Sequence, residues 1–189
     1  MRMDSTERPG KVQVYTGDGK GKTTSALGAG LRAAGHGFKV LMICFMKAKV
    51  AGRDGETEVN YGEFGIIDTV PNFEIVPVGR LDWVDKANPD PIDVKLAQDG
   101  LEMALEALRK HSCDVLILDE INVAVEWNLI SLDDQLNLIR MKPPDVEIIM
   151  TGRYARPEII EAADLVTEMR ELKHYFTSKK LQARKGFEF

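Results

Sequence analysis

The chain is poor in cysteine and histidine: its 189 residues include two cysteines and three histidines. Cys44 and Cys113 stand in or beside apolar runs. Neither belongs to a Cys-x-x-Cys pair or a Cys/His set with zinc spacing, which excludes a disulfide framework and a structural zinc site. Both read as core thiols. No stretch reaches the ~18 consecutive apolar residues of a membrane-spanning helix, and the first ten residues are polar and charged, without the apolar segment of a signal peptide. A cytoplasmic protein is expected, with residues 1–10 as a flexible lead-in. An excess of positive charge is missing too. Thirty acidic and 25 basic residues intermix to a net charge of −5, which offers nucleic acid no long-range attraction and a membrane no basic amphipathic face. What is present is a chain 44% hydrophobic, enough to bury a sizeable core and expected to form one domain over residues 1–189.

Apolar runs alternate with helical patterns along that chain. Strands are expected at Lys11–Tyr15, Lys39–Met46, Phe73–Val78, Val115–Leu118, Val146–Met150 and Leu165–Met169. Helices are expected at Lys22–Ala34, Ile92–Lys110, Leu132–Arg140 behind a Ser131 cap, and Pro157–Ala163 with proline in its first turn. Strands nearly continuous in Val, Ile, Leu and Met imply burial on both faces, hence an α/β fold with a mostly parallel sheet and helices on both sides. Ligands of such sheets sit beyond the carboxyl ends of the strands. Residues 47–72 lack regular periodicity and include Gly52, Gly55, Gly62 and Gly65, which reads either as a mobile loop or lid, or as a tolerated surface excursion.

Behind the first strand comes Thr-Gly-Asp-Gly-Lys-Gly-Lys-Thr-Thr at 16–24, a glycine-punctuated run that suits a nucleoside triphosphate. Gly17, Gly19 and Gly21 are expected to take positive φ and turn successive amides toward one anion. Lys22 can reach terminal phosphate oxygens, while Thr23 is placed on the first helical turn to hold a divalent metal. Asp18, Lys20 and Thr24 complete the expected nucleotide-binding set. A plain strand-to-helix turn has no need of two lysines and two threonines together. The usual pattern has glycine where this chain has Thr16, so the loop is a variant.

The second element is Val115-Leu-Ile-Leu-Asp-Glu at 115–120, an apolar strand ending in two carboxylates. Asp119 is expected to bind a metal water, and Glu120 to coordinate the cation or orient a nucleophile. By itself such an ending is an ordinary strand terminus; beside the cradle it completes a phosphate site. Arg153, after the Val146–Met150 strand, reads equally as a phosphate clamp or a surface ion pair. His36, between two glycines, reads as part of a helix-ending turn, and His174 as a structural histidine. Lys179, Lys180, Arg184 and Lys185 form a basic tail.

Together these residues resemble the P-loop branch of the ATP:corrinoid adenosyltransferases. The resemblance rests on Tyr-Thr-Gly-Asp-Gly-Lys-Gly-Lys-Thr-Thr at 15–24, where the family also lacks the first P-loop glycine, on Arg-Ala-Ala-Gly-His-Gly at 32–37 and on Phe-Met-Lys at 45–47. It continues in Leu-Asp-Glu at 118–120, Thr-Gly-Arg at 151–153, Ala-Asp-Leu-Val-Thr-Glu-Met-Arg at 163–170, Lys-His-Tyr-Phe at 173–176 and the Lys-Gly-Phe-Glu-Phe tail. It implies a P-loop NTPase-like, RecA-like fold and a reaction in which cobalt(I) of a reduced corrinoid attacks C5′ of ATP and releases triphosphate. It also implies Mg²⁺ or Mn²⁺ held through Thr23 and Glu120, an electron-donating reductase, and a homodimer.

The family is further thought to strip the lower axial ligand from cobalt(II) with apolar side chains of a Gly-Phe-x-Trp segment. Here that segment is Gly79-Arg80-Leu81-Asp82-Trp83. Trp83 matches the family tryptophan, and Leu81 stands where phenylalanine is expected. Trp83 reads either as a corrinoid-side catalytic residue or as a loop tryptophan covering the core. The family also commonly carries a longer amino-terminal helical extension, against which this chain offers residues 1–10. Two other readings stay open: a small phosphotransferase or ATPase acting on the γ-phosphate through Lys22, Thr23 and Glu120, and an ATP-gated binding module. In all three Lys22→Ala should abolish ATP binding, as measured by equilibrium titration; undiminished affinity would remove the cradle from each.

Overall fold

In a computed structural model, residues 9–48, 50–51, 57–58 and 61–188 are described. Among these, β1 (Val12–Thr16) leads into α1 (Lys22–Gly35), and β2 (Val40–Phe45) follows. Next come two-residue strands β3 (Val50–Ala51) and β4 (Thr57–Glu58), paired antiparallel, then α2 (Gly62–Ile66) and a 3-10 turn at Ile67–Thr69. The remainder is β5 (Phe73–Val78), α3 (Pro91–Lys110), β6 (Val115–Asp119), α4 (Ile121–Glu126), α5 (Leu132–Met141), β7 (Glu147–Thr151), α6 (Pro157–Ala162), β8 (Leu165–Glu168) and α7 (Tyr175–Lys179).

Six strands form one sheet in the order β5-β2-β6-β7-β1-β8, parallel at every pairing. Its middle is dry on both sides. In β6, Leu116 and Leu118 face a cluster with α3, α4 and α5, while Val115 and Ile117 face a second cluster with α1 and α2. The expected two-face burial therefore holds for β2, β6 and β7. It fails for β8, whose four residues are all exposed, because that strand lies at the sheet edge. No helix among the described residues is long and apolar enough to cross a membrane.

Local chemistry sets the helix ends, at Ser131 and His36 as expected. Ser131 accepts the Asp134 amide at 3.1 Å and starts α5. Asp90 does the same for α3 through the Ile92 amide at 3.0 Å, with Pro91 in the first turn. His36 sits at the carboxyl end of α1, and Gly37 follows in the left-handed region. His174 caps α7 by accepting the Phe176 amide. Both cysteines are buried thiols. Burial, then Asp114, pushes Cys113 up to about 11.

The expected lead-in falls at residues 1–8 outside the described residues, as do Gly52 and Gly55 of the expected loop. The rest of 47–72 includes structure that periodicity did not announce: α2 and the following turn bury Phe64 and Ile67 in the α1-side core. A five-residue helix is too short to show a repeat.

Two glycines of α1 separate packing from propensity. A Cβ on Gly30 would lie 2.8 Å from the Phe73 ring and 2.9 Å from Ile117 Cδ1, whereas one on Gly28 would meet nothing within 4 Å. Gly30→Ala should cost about 1–3 kcal/mol by overpacking, and Gly28→Ala should gain up to about 1 kcal/mol from helix propensity. Urea denaturation of the two variants checks both signs.

Candidate active site

Parallel strands put all their carboxyl ends on one edge, and the chemistry-bearing segments leave from there. The cradle leaves β1, Lys47 follows β2, Arg80 to Trp83 follow β5, Glu120 follows β6 and Gly152 follows β7.

Within the cradle the glycines have different duties. Gly17 and Gly21 take φ of +93° and +118°, as expected. Gly19 does not take positive φ; it is required because a Cβ there would lie 2.8 Å from the Met169 carbonyl. Its amide donates to that carbonyl at 2.7 Å, and the Met169 amide donates to Thr16 O at 2.8 Å. The cradle thus leans on the end of β8. Thr16, in the place of the usual glycine, is the last residue of β1, buried and paired with Glu168. The Lys22 ammonium lies inside the loop and donates to the Gly17 and Gly19 carbonyls, each at 2.7 Å. Burial holds it below the ordinary lysine value, against the raising influence of Glu120.

At the end of β6 the Asp119 carboxylate is wholly buried. Thr151 Oγ1 donates to its Oδ1 at 2.7 Å, and Lys47 Nζ donates to its Oδ2 at 2.7 Å. Thr151 Oγ1 also accepts the Glu120 amide at 2.9 Å, which links the ends of β6 and β7. Glu120 holds a left-handed backbone, φ 62°. Gly152 makes room beside it: a Cβ there would stand 3.3 Å from Glu120 Oε2. Burial, followed by Asp119, raises the Glu120 pKa. Lys47 is largely buried, its side chain 13% exposed; burial opposes its charge, but Asp119 outweighs that and leaves it above the ordinary lysine value.

Two cavities open on this edge. The first, about 420 Å³, is walled by Lys20, Gly21, Lys22, Thr23 and Thr24 on the cradle side and by Gly186 to Glu188 opposite. The second, about 400 Å³, is walled by Arg80 to Val84, Val123 and Trp127. Lys47, Tyr61 and Glu120 line both. Each volume lies in the ~300–1,000 Å³ range of small-molecule sites.

The expected residues are brought together unevenly. Lys20, Gly21, Lys22, Thr23, Thr24 and Glu120 share the first cavity, with Asp119 behind them. Asp18 and Arg153 lie on the outer flank of the cradle: the guanidinium donates to the Asp18 carbonyl at 3.3 Å, with its Nε 3.9 Å from the carboxylate. Trp83 stands apart from the cradle on the second cavity, 94% exposed. It covers none of the core.

Lys47, Tyr61 and the carboxyl-terminal wall were not among the expected site residues. A lysine directly after a buried strand on the ligand edge was the available signal for Lys47, whose ammonium also lies 4.9 Å from the Tyr61 ring centroid. The tail folds back 167 residues to the cradle, where Lys20 Nζ donates to the Phe187 carbonyl at 2.7 Å and lies 3.7 Å from Glu188. Glu188 is tied in turn to Tyr175 and Arg184, and the Arg184 guanidinium stacks between the Tyr175 and Phe187 rings. Arg184 of the basic tail is therefore engaged internally.

Comparison with known proteins gives the family. A family model described as ATP:corrinoid adenosyltransferase BtuR/CobO/CobP matches residues 8–189. The corrinoid adenosyltransferase of a Sinorhizobium species is 33% identical over 185 residues, covering 97% of this chain and 82% of that protein. That of Pseudomonas aeruginosa is 34% identical over 180 residues, covering 95% and 84%. Among solved structures, the flagellar accessory protein FlaH of Methanocaldococcus jannaschii aligns with a TM-score of 0.53 at 16% identity, over 85% of this chain and 72% of its own; that likeness concerns the P-loop, RecA-like fold. With the family model spanning nearly the whole chain and relatives above 30% identity along most of their length, the chain belongs to the ATP:corrinoid adenosyltransferase family, which transfers the adenosyl group of ATP to a reduced corrinoid.

Proposed function

We propose that ATP occupies the first cavity with its phosphates in the cradle, and that the corrinoid sits against the second. The observation that carries this division is the wall formed by Lys47, Tyr61 and Glu120, which both cavities share. Two substrates held on either side of one wall can meet there.

The electron pair of cobalt(I) forms the cobalt–C5′ bond as the C5′–O bond breaks, and triphosphate leaves with the electrons of that bond. The nucleophile belongs to the substrate, so the protein needs no catalytic Ser, Cys or His. Its task is to oppose the negative charge of the leaving group. Lys22 does so from inside the loop, exchanging its contacts to the Gly17 and Gly19 carbonyls for phosphate oxygens, and Lys20 adds a second charge from the cavity wall. Thr23 and Glu120, which line the first cavity, would hold Mg²⁺ or Mn²⁺ through hard oxygen donors; the expected water-mediated role of Asp119 does not fit, because its carboxylate is wholly buried with Thr151 and Lys47 on its two oxygens. Among the described residues no cluster of three or more His, Cys, Asp or Glu is placed to hold a metal alone, and an ion there would be shared with the nucleotide. The ion, when bound, neutralises further phosphate charge. Asp18 and Arg153 hold the cradle from outside.

Leu81 and Trp83 give the second cavity an apolar rim that can exclude water from the lower face of cobalt, which favours the four-coordinate state that is more easily reduced. A separate reductase provides the electron. A homodimer in the cytoplasm completes the reading, supported by the family resemblance.

With ATP, Mg²⁺ and a reductant, the protein should convert cob(II)alamin into a light-sensitive alkylcobalamin and release triphosphate. ADP or phosphate as the sole nucleotide-derived product would favour a phosphotransferase or ATPase, and ATP binding without turnover would favour a binding module. Trp83→Ala should lower turnover from cob(II)alamin on the order of 10- to 100-fold, as misplacement at a reacting centre does, and turnover from chemically prepared cob(I)alamin much less. Equal losses would remove its reductive role.

A further inference from the structure

Leu81 and Trp83 are large apolar side chains exposed at 62% and 94%, on a segment without helix or strand. A loop of that kind ordinarily folds its tryptophan down. This one is held at three points. At its root Gly79 crosses the chain after β2 so closely that a Cβ would lie 2.5 Å from the Lys47 nitrogen, and the Met46 amide donates to Val78 O at 3.2 Å. At its far end Val84 packs against the α3-side core.

Between them Arg80 makes a two-pronged contact with Asp93. Arg80 Nε donates to Oδ1 at 2.7 Å and a terminal nitrogen donates to Oδ2 at 2.8 Å. The Asp93 side chain is 2% exposed, while that of Arg80 is 32% exposed, so the fork is shielded on its acidic side. Asp90 and Asp82 stand farther from the guanidinium, at 3.6 and 3.8 Å. Asp93 occupies the first turn of α3, where the helix dipole already favours a carboxylate. The helix itself is anchored by Ala97, Leu101, Ala104 and Leu108 in the core, with Gly100 in contact with Val78. The planar fork fixes direction as well as distance, which a single ammonium cannot do.

We propose that the Arg80–Asp93 fork is a positioning pair that holds Leu81 and Trp83 outward as a preformed apolar rim for the corrinoid. The inference rests on the second cavity being the corrinoid site. Asp93 lines neither cavity and acts only through the fork, while Arg80 also lines the second cavity beside Leu81 and Trp83. Preforming the rim spares the ordering cost of the loop when the acceptor binds, so its loss falls on the step that uses the rim.

The test uses the full chain with 5-fluorotryptophan in place of its two tryptophans, the two resonances being assigned with Trp83→Phe. In Asp93→Asn and in Arg80→Lys, which keeps the charge but loses the fork, the Trp83 resonance should shift and sharpen while that of Trp127 stays. Turnover with cob(II)alamin should fall on the order of 10- to 100-fold; in Asp93→Asn, whose side chain lines neither cavity, turnover from cob(I)alamin and the ATP dissociation constant should each stay within about twofold of the parent, because the cradle is untouched. An unmoved Trp83 resonance in both variants, or equal losses with both cobalt states, would overturn the proposal. Failure of the parent protein to alkylate cob(I)alamin would instead overturn the reading of the cavity, and the fluorine spectra would still decide whether the fork orders the loop.

Discussion

A carboxylate with no exposed surface lies at the centre of the ligand edge, and the arrangement of the site follows from satisfying it. Stripping Asp119 of water costs several kcal/mol unless its oxygens find donors, and the donors come from two neighbouring strand ends. Thr151 at the end of β7 takes one oxygen and Lys47 beyond β2 takes the other. Because Thr151 Oγ1 donates to Asp119, it is free to accept the Glu120 amide, and that bond helps hold Glu120 in its left-handed turn. Gly152 follows at φ +126°, a conformation that side chains rarely adopt, and a Cβ there would also press on Asn122 and the Glu120 carboxylate. One buried charge thus orders the lysine, the glutamate and the threonine that stand between the two cavities.

The same charge explains why Lys47 can remain an ammonium in a buried position. Burial alone lowers a lysine pKa, as it does for Lys22, whose direct partners are neutral carbonyls. Lys47 moves the other way because Asp119 touches it. Of the three lysines that line the first cavity, Lys47 is paired and fixed, whereas Lys22 is held only by dipoles that a phosphate can replace.

How far the sequence revealed this depended on the distance over which each interaction acts. Runs such as Val115 to Leu118 announce buried strands because each residue is apolar whichever face it meets, and Ser131 or Pro157 announce helix starts because capping is local. The six residues of α4 were missed because one and a half turns carry no period. Lys47 was passed over as a site residue because its partner is 72 positions away, and the tail because its contact with Lys20 spans 167. The glycines of the cradle were legible as a group but not individually. Gly17 and Gly21 follow the backbone rule, whereas Gly19 answers to Met169, which no local pattern links to it.

The wall between the cavities also bears on which bond of ATP can be broken. In a γ-phosphoryl transferase the acceptor must approach the terminal phosphate in line with the leaving oxygen, so the acceptor cavity has to open on the phosphate end of the nucleotide. Here the glycine cradle and Lys20 line the first cavity alone, and what the second cavity adds beyond the shared wall is mostly apolar, Leu81, Trp83, Val84, Val123 and Trp127, with Arg80 and Asp82 among them. Such a surface suits a broad acceptor with an apolar face and polar edges. On the proposed division, phosphates held in the cradle leave the nucleoside end of ATP to face the shared wall, where a nucleophile arriving from the apolar side meets carbon. The cations of the cradle then stand behind the departing group, which is where opposing its charge lowers the barrier to cleavage at C5′.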